Sequence, residues 1–249
     1  MIKHLSKVIL ILILLLSYHC DQSVEKGYDD NFIREYNITK IDLMGELSDR
    51  SSEISGLCWF GNKLIILPQY PQRFGDESGK IFFIERAKLK KYIEGDIRTP
   101  IEPSSYNIDL SNVGKYFNMG SGFEAISVID TTAFFTVEYL SSVNTETLLI
   151  RGAIDTSARE IFIDEKSIVS DPTDLRIYNM SCESILAMND HLYPIFEANG
   201  KNVIDSPKVS VFNNNLQFKN KIDFPTVEYR ITDVTNPDDS GKFWGINYF

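Results

Sequence analysis

The chain has 249 residues, of which 43% are hydrophobic, 12% aromatic and 24% charged. This composition excludes intrinsic disorder and collagen-like structure, and it leaves enough apolar side chains for one or two folded domains. The formal net charge of −10 argues against a nucleic-acid partner, because such partners are bound by clusters of Lys and Arg that neutralise phosphates.

The N-terminus has the pattern of a secretory signal peptide. Lys3 and Lys7 precede an unbroken apolar run at residues 8–16. This run is too short to span a bilayer. Residues 1–19 are therefore predicted to be a signal peptide, residues 20–35 a polar tether and residues 36–249 the folded domain.

Cys20 follows the apolar run and resembles the lipid-modified cysteine of bacterial lipoproteins. His19 and Ser17 depart from the usual pattern, which has a small residue just before the cysteine and Leu three positions before it. We expect an exported protein, held on the periplasmic or cell-surface side of a bacterial membrane by lipid on Cys20. An uncleaved or differently cleaved export signal is the alternative.

Short β-strand patterns dominate the rest of the chain. Segments such as KLIILPQY, KIFFIER and TLLIRGAI are rich in β-branched and aromatic residues and are bounded by Gly, Asn, Asp, Pro or Ser. Residues 86–92 carry a weak helical pattern. Cys58 and Cys182 lie in separate apolar runs, so we expect two buried free thiols rather than one disulfide. The chain is predicted to be all-β.

One spacing recurs four times and predicts four similar hairpins. A first polar position is followed six residues later by a turn residue and eight residues after that by a second polar position. The first positions are Ser55, Glu124, Glu183 and Asp233; the second positions are Gln69, Glu138, Glu197 and Asn247. With turns centred on Asn62, Thr131, Asp190 and Ser240, the two polar residues of each hairpin are expected to face one another directly.

Two more strand patterns follow each of the first three hairpins, and they indicate a β-propeller. The third strands are predicted at residues 80–86, 147–154 and 208–212, and the fourth at YNIDL, EIFID and NKIDF. Four antiparallel strands per unit is the pattern of a propeller blade; a sandwich of hairpins is the alternative. Residues 36–45, YNITKIDLMG, are predicted to be an outer strand that closes the ring. The propeller is expected to be truncated in its fourth blade, with six blades and a monomeric state when complete.

In a propeller the first strand of every blade lines the central channel, so the paired polar positions are expected around one mouth of it. They form an oxygen-rich ring of the kind that takes Ca²⁺ or another divalent cation, which would relieve the repulsion between facing carboxylates. A shared proton, or acids with a purely structural or solvated role, are the alternatives. The predicted metal ligands are Glu124, Glu138, Glu183, Glu197 and Asp233, and the predicted ligand-binding residues are Gln69 and Asn247.

The order SGLCWFGNKLIIL, GFEAISVIDTTAFFTVEY and ITDV with GKFWGIN resembles the phytase-like, or esterase-like, β-propeller family of exported bacterial proteins. The resemblance implies a channel-mouth site and hydrolysis of a phosphoester or ester. Its blade-opening acids correspond to Glu124, Glu183 and Asp233, whereas Ser55 departs from that pattern.

The expected function is that of a lipid-anchored propeller that binds, or binds and hydrolyses, a small anionic or polar ligand at an acidic, cation-dependent channel mouth. His191 is the only histidine beyond the signal and lies at a predicted hairpin tip, so nucleophile systems that need a histidine base are disfavoured. The alternative is a non-catalytic propeller that binds protein or glycan.

Overall fold

The structure is a computed structural model that describes residues 38–75, 78–117, 120–140, 144–173 and 177–248. The predicted signal peptide, the tether and Cys20 lie outside the described residues. The strands all belong to one compact unit, Lys40–Phe249. Within the described ranges, no helix has both the length and the apolar character needed to cross a membrane.

The described strands form three four-stranded antiparallel units and one further hairpin. Unit 1 contains β1 (Ile54–Phe60), β2 (Lys63–Pro68), β3 (Gly79–Glu85) and β4 (Ser104–Asp109), with helix α1 (Arg86–Ile93) after β3. Unit 2 contains β5 (Gly122–Ile129), β6 (Thr132–Leu140), β7 (Thr145–Asp155) and β8 (Glu160–Ser170). Unit 3 contains β9 (Cys182–Met188), β10 (His191–Phe196), β11 (Lys208–Asn213) and β12 (Phe218–Asp223), and the hairpin pairs β13 (Arg230–Val234) with β14 (Gly245–Tyr248).

This arrangement confirms the predicted all-β fold, a β-propeller built from four-stranded antiparallel blades. The third and fourth strands of the three units lie where the sequence predicts them. The first strands of successive units are neighbours: β1 contacts β5, β5 contacts β9, and β9 contacts β13. These four inner strands surround a pocket lined by polar side chains.

Apolar side chains fill the space between successive units. Phe135 packs towards unit 1 with Phe123, whereas its neighbour Phe134 packs towards unit 3 with Ile185. Consecutive residues of a strand point to opposite faces, and both phenylalanines are fully buried. Unit 2 is therefore held by apolar packing on both of its faces.

Units 1 and 2 are also joined at their outer edges. Residues 107–109 of β4 pair in parallel with residues 160–162 of β8. The two units thus form one eight-stranded sheet whose end strands, β1 and β5, contact each other. No strand pattern in the sequence predicts this pairing.

The predicted outer strand at residues 36–45 is described from residue 38 onward, and these residues belong to none of the described strands, so the ring closure predicted for them stays a prediction. Leu43 forms a single isolated bridge with Ile101. Ile41 and Leu43 instead pack on a face of unit 1, beside Phe82 and α1 residue Leu89. The apolar residues of this segment cover a sheet face, which a strand-like alternation alone does not distinguish from strand pairing.

Cys58 and Cys182 are buried free thiols, as the sequence predicts. Each lies in an inner strand of a different unit. Burial raises the pKa of both thiols, so neither is expected to react readily as a thiolate.

We predict that Gly56→Ala destabilises the protein because β1 and β5 approach closely at this residue. A Cβ atom at position 56 would lie 3.2 Å from Ala125 Cα and 3.2 Å from Ile126 N. Separating the strands should lower the free energy of unfolding by about 1–3 kcal/mol, measured by urea denaturation. Gly114→Ala is the control, since a Cβ there meets nothing within 4 Å, and equal effects of the two substitutions would refute the close approach.

Candidate functional site

Each inner strand carries a β-bulge at an equivalent place. The pairing register shifts between Ile54 and Gly56 in β1, and corresponding shifts occur in β5, β9 and β13. A bulge leaves one residue without a direct cross-strand partner and re-aims its side chain. The bulged residues are Ser55, Glu124, Glu183 and Thr232.

The predicted direct pairing of Glu124 with Glu138 is wrong. The turn has two residues, since Ile129 pairs with Thr132, and Glu124 lies in the bulge, so Glu138 pairs with Gly122. The same offset occurs in the other units. The backbone N–H of Gln69 donates to the Glu53 carbonyl, and that of Glu197 donates to the Ser181 carbonyl.

The fourth hairpin is shifted by one residue relative to the predicted repeat. Its bulged residue is Thr232, whereas Asp233 pairs with Ile246. Tyr248, rather than Asn247, stands in the position of Glu138, because it pairs with the strand residue two positions before the bulge. The connection between β13 and β14 is longer than a two-residue turn, so equal spacing in the sequence does not give equal register.

The bulges surround a pocket of about 400 Å³, which we call the central pocket. Of the predicted site residues, Gln69, Glu124, Glu183 and Asp233 line it. The full lining consists of Glu53, Ile54, Ser55, Gly56, Leu57, Gln69, Glu124, Glu183, Thr232, Asp233 and Ile246. All four inner strands contribute at least one polar side chain to this lining.

Three predicted site residues do not line the central pocket. Glu138 and Glu197 are buried but are absent from its lining. Asn247 is exposed, donates its side-chain N–H to the Glu228 carbonyl at 2.8 Å, and lines a separate apolar cleft between unit 3 and the hairpin. The structure therefore brings together four of the seven predicted residues.

The surroundings of Glu124 favour the protonated form of its carboxyl group. Its side chain is 8% exposed, and burial raises its pKa to about 8, with further contributions from the negative charges of Glu138, Glu183 and Glu197. Gln69 Nε2 donates to Glu124 Oε1 at 2.9 Å, which opposes the shift. The carboxyl is therefore mostly protonated at neutral pH.

Arg230 does not line the central pocket, but it binds an acid that does, and no sequence pattern marks it. Its Nη2 donates to Glu183 Oε1 at 2.5 Å, and its Nε forms an ion pair with Glu197 Oε2. Burial and the charge of Glu183 raise the pKa of Glu197, whereas Arg230 opposes this. Arg230 begins β13, where the other units have Glu53, Gly122 and Ser181 by register, so the repeat itself gave no signal for a basic residue.

Asp233 links the fourth hairpin to unit 1. Its carboxylate accepts hydrogen bonds from the backbone N–H groups of Leu57 and Val234. Burial raises the pKa of Asp233 to about 6, and these hydrogen bonds oppose the shift. The carboxylate is mostly ionised at neutral pH and ties β13 to β1.

The chemistry of the central pocket is that of an oxygen-rich, acidic site. It offers carboxyl groups, an amide and hydroxyls, whose oxygens are the ligands that Ca²⁺ prefers. In the described parts of the chain, no group of three or more His, Cys, Asp or Glu side chains is positioned to hold a metal ion. A cation bound there would thus need the acidic side chains to draw together.

Comparisons with known proteins give no family. No protein-family model matches the sequence, and no curated protein matches it. Among solved structures, the β-propeller domain of Nup133 from Vanderwaltozyma polyspora is similar, with 10% sequence identity and a TM-score of 0.41. The match covers 78% of this chain and 53% of that one, so the chain spans about half the length of that structure.

We predict that Glu124 makes stability fall as pH rises. The unfolded chain loses the Glu124 proton near the ordinary glutamate pKa, whereas the folded protein holds it until about pH 8. The contribution of Glu124 to the free energy of unfolding is therefore complete below about pH 4.5. Between about pH 4.5 and about pH 8 it falls by on the order of 1 kcal/mol per pH unit.

Urea denaturation at several pH values compares the wild type with Glu124→Gln, which should show a weaker fall over this range. Glu94→Gln, at an exposed site at the end of α1, serves as the control and should follow the wild type. Parallel curves for the wild type and Glu124→Gln would show that Glu124 ionises normally.

Proposed function

We propose that this protein is a ligand-binding β-propeller whose central pocket takes a divalent cation such as Ca²⁺ and, with it, a small polar or anionic ligand. The observation that carries the proposal is the convergence of four bulged strands on one pocket. A bulge at one register position in every inner strand directs Ser55, Glu124, Glu183 and Thr232 to a common space.

The size and the lining of the pocket support a small ligand. A volume of about 400 Å³ falls within the range of small-molecule sites. Polar groups stand beside the apolar residues Ile54, Leu57 and Ile246. This combination gives a ligand both directional hydrogen bonds and apolar contact.

The cation would be held by oxygens of Gln69, Glu124 and Asp233. Gln69 uses its Nε2 to donate to Glu124, which leaves its Oε1 as an acceptor. Glu124 would release its proton when the cation binds, because a nearby positive charge favours the ionised carboxylate. A bound cation would supply the positive charge that an anionic ligand needs in an otherwise acidic pocket.

Hydrolysis of a phosphoester or ester is a second candidate, favoured by one observation. Glu124 keeps a proton near neutral pH and lies close enough to Glu183 to be affected by its charge. A protonated carboxyl beside another acid can serve as a general acid. Turnover of 4-nitrophenyl phosphate or acetate that Glu124→Gln abolishes would support this candidate, and turnover unaffected by that substitution would oppose it.

We also propose export and anchoring through lipid on Cys20, on the sequence pattern alone. The measurement is the mass of the N-terminal peptide of the protein made in a bacterial host. A peptide that starts at acylated Cys20 is the expected result. Recovery of Met1, or of an unmodified N-terminus elsewhere, would contradict the proposal.

We predict that the wild type binds Ca²⁺ and that Glu124→Gln weakens this binding at least tenfold, because one ligand charge is lost. Isothermal titration calorimetry at pH 7 measures the affinity. Repeating it in two buffers of different ionisation enthalpy detects the proton that Glu124 should release.

Asn247→Ala is the control, since Asn247 lies outside the central pocket, and it should bind as the wild type does. Absence of Ca²⁺ binding by the wild type would refute the proposed cation dependence. Equal affinity of the wild type and Glu124→Gln would place the cation elsewhere.

A further inference from the structure

The outer edge of β14 is an exposed strand edge. In units 1 to 3 the second strand pairs with a third, as β2 pairs with β3, β6 with β7 and β10 with β11. β14 stands in the position of such a second strand, but in the described part of the chain its only strand partner is β13. A row of backbone N–H and C=O groups along this edge is therefore open to another strand.

The outer edges of the three complete units are protected against strand pairing. The edges of units 1 and 2 cover each other, because β4 pairs with β8. The outer edge of unit 3 is β12, which carries Lys219, Lys221 and Asp223, and charged side chains on an edge strand oppose association with another chain. Residues 243–248, FWGINY, contain no charged residue and no proline. β14 therefore lacks the features that protect the other outer edges.

The backbone hydrogen bonds of β14 determine which of its residues face the open edge. The N–H of Trp244 donates to Thr235 Oγ1, and the carbonyl of Trp244 accepts from the Thr235 N–H, so both groups point towards the β13 side. Successive residues of an antiparallel strand direct their backbone groups to opposite edges. The backbone groups of Gly245 and Asn247 therefore point to the open edge, where a further strand can pair with them.

The side chains of β14 are self-complementary about Ile246. Two antiparallel β14 strands can pair so that Gly245 of each is opposite Asn247 of the other, which uses the backbone groups at the open edge. The two Ile246 residues then lie opposite each other, and each Trp244 lies opposite a Tyr248. These side chains share one face, and in the single chain they are 73% (Trp244), 59% (Ile246) and 60% (Tyr248) exposed. Opposed aromatic and β-branched residues stabilise a sheet, so this register favours self-pairing.

We propose that two copies of this chain associate through antiparallel pairing of their β14 strands, which gives one four-stranded sheet across a two-fold axis. The net charge of −10 makes two copies repel each other, and the uncharged β14 edge is where they can approach without placing like charges opposite one another. Such a contact uses the same surface on both copies and closes at the dimer. The monomeric state predicted from the sequence concerns a complete propeller, in which a third strand covers β14.

Sedimentation equilibrium of the full chain at pH 7 tests the proposal. At protein concentrations up to on the order of 100 μM, which suit a contact smaller than a standard interface, the wild type should show a monomer–dimer equilibrium. Ile246→Lys places two positive charges opposite each other and should weaken dimerisation at least tenfold, and Ile246→Glu should do the same. A mixture of these two variants places Lys opposite Glu and should dimerise at least fivefold more tightly than either variant alone, which also shows that both variants fold.

Phe218→Lys is the matched control, because Phe218 is a 46% exposed apolar residue of the edge strand β12, and it should dimerise as the wild type does. Should Ile246→Lys lose the circular dichroism spectrum of the wild type, Trp244→Lys takes its place at a more exposed position. It should also weaken dimerisation at least tenfold, because both contacts between Trp244 and Tyr248 are lost.

Three outcomes would overturn the inference. A wild type that stays monomeric over the whole concentration range would show that a second copy does not cover β14. Dimerisation that the substitutions at Ile246 and Trp244 leave unchanged, or that the mixture of Lys and Glu variants does not restore, would place the contact elsewhere. Assemblies that grow beyond the dimer would contradict a closed two-fold contact.

Discussion

The β-bulges of four inner strands direct polar side chains to the same space, and the arrangement of charges in the structure depends on this convergence. The bulged residues come from positions far apart in the chain, yet all of them line the central pocket. Like charges gathered in a partly buried place repel one another, and each loses hydration. The surrounding structure must therefore relieve every acidic group that it brings there.

Four of the acids in and beside the pocket are relieved in three ways. Glu124 retains a proton and accepts a hydrogen bond from Gln69. Glu183 and Glu197 share Arg230. Asp233 accepts backbone N–H groups, one of them from β1. The same groups also hold the units together, because each of these contacts except the one within Asp233's own strand joins residues of different units. The polar groups of the central pocket and the contacts between units thus share several side chains.

The sequence predicted the strands and the repeat because those depend on local patterns. Two-residue turns between β1 and β2, β5 and β6, and β9 and β10 give equal spacing in three units. The bulges were not predicted, because each lies within the first three residues of its strand, where too few residues precede it for a break in the alternation to show. The long connection before β14 then displaced the fourth repeat by one residue, which moved Asn247 out of the site.

Other features could not be predicted because they depend on contacts between units. Arg230 belongs to β13 but serves the acids of unit 3, and no motif within one repeat specifies such a partner. The parallel pairing of β4 with β8 and the position of Leu43 on a sheet face likewise arise from the packing of separate segments. Local sequence patterns therefore predicted most of the polar lining of the pocket. The ion pairs and hydrogen bonds that stabilise its acids join separate units, so they could not be predicted from those patterns.

Glu124 and Glu183 come from different units and line one pocket, so their charges should be coupled. A double-mutant cycle of Glu124→Gln and Glu183→Gln, measured as free energy of unfolding at pH 9 and pH 6, tests it most directly. At pH 9, above the pKa of about 8 of Glu124, we expect a repulsive coupling of about 0.5 kcal/mol or more, and at pH 6, where Glu124 is protonated, a smaller one. Additive effects at both pH values would show that the two carboxyl groups do not share the pocket.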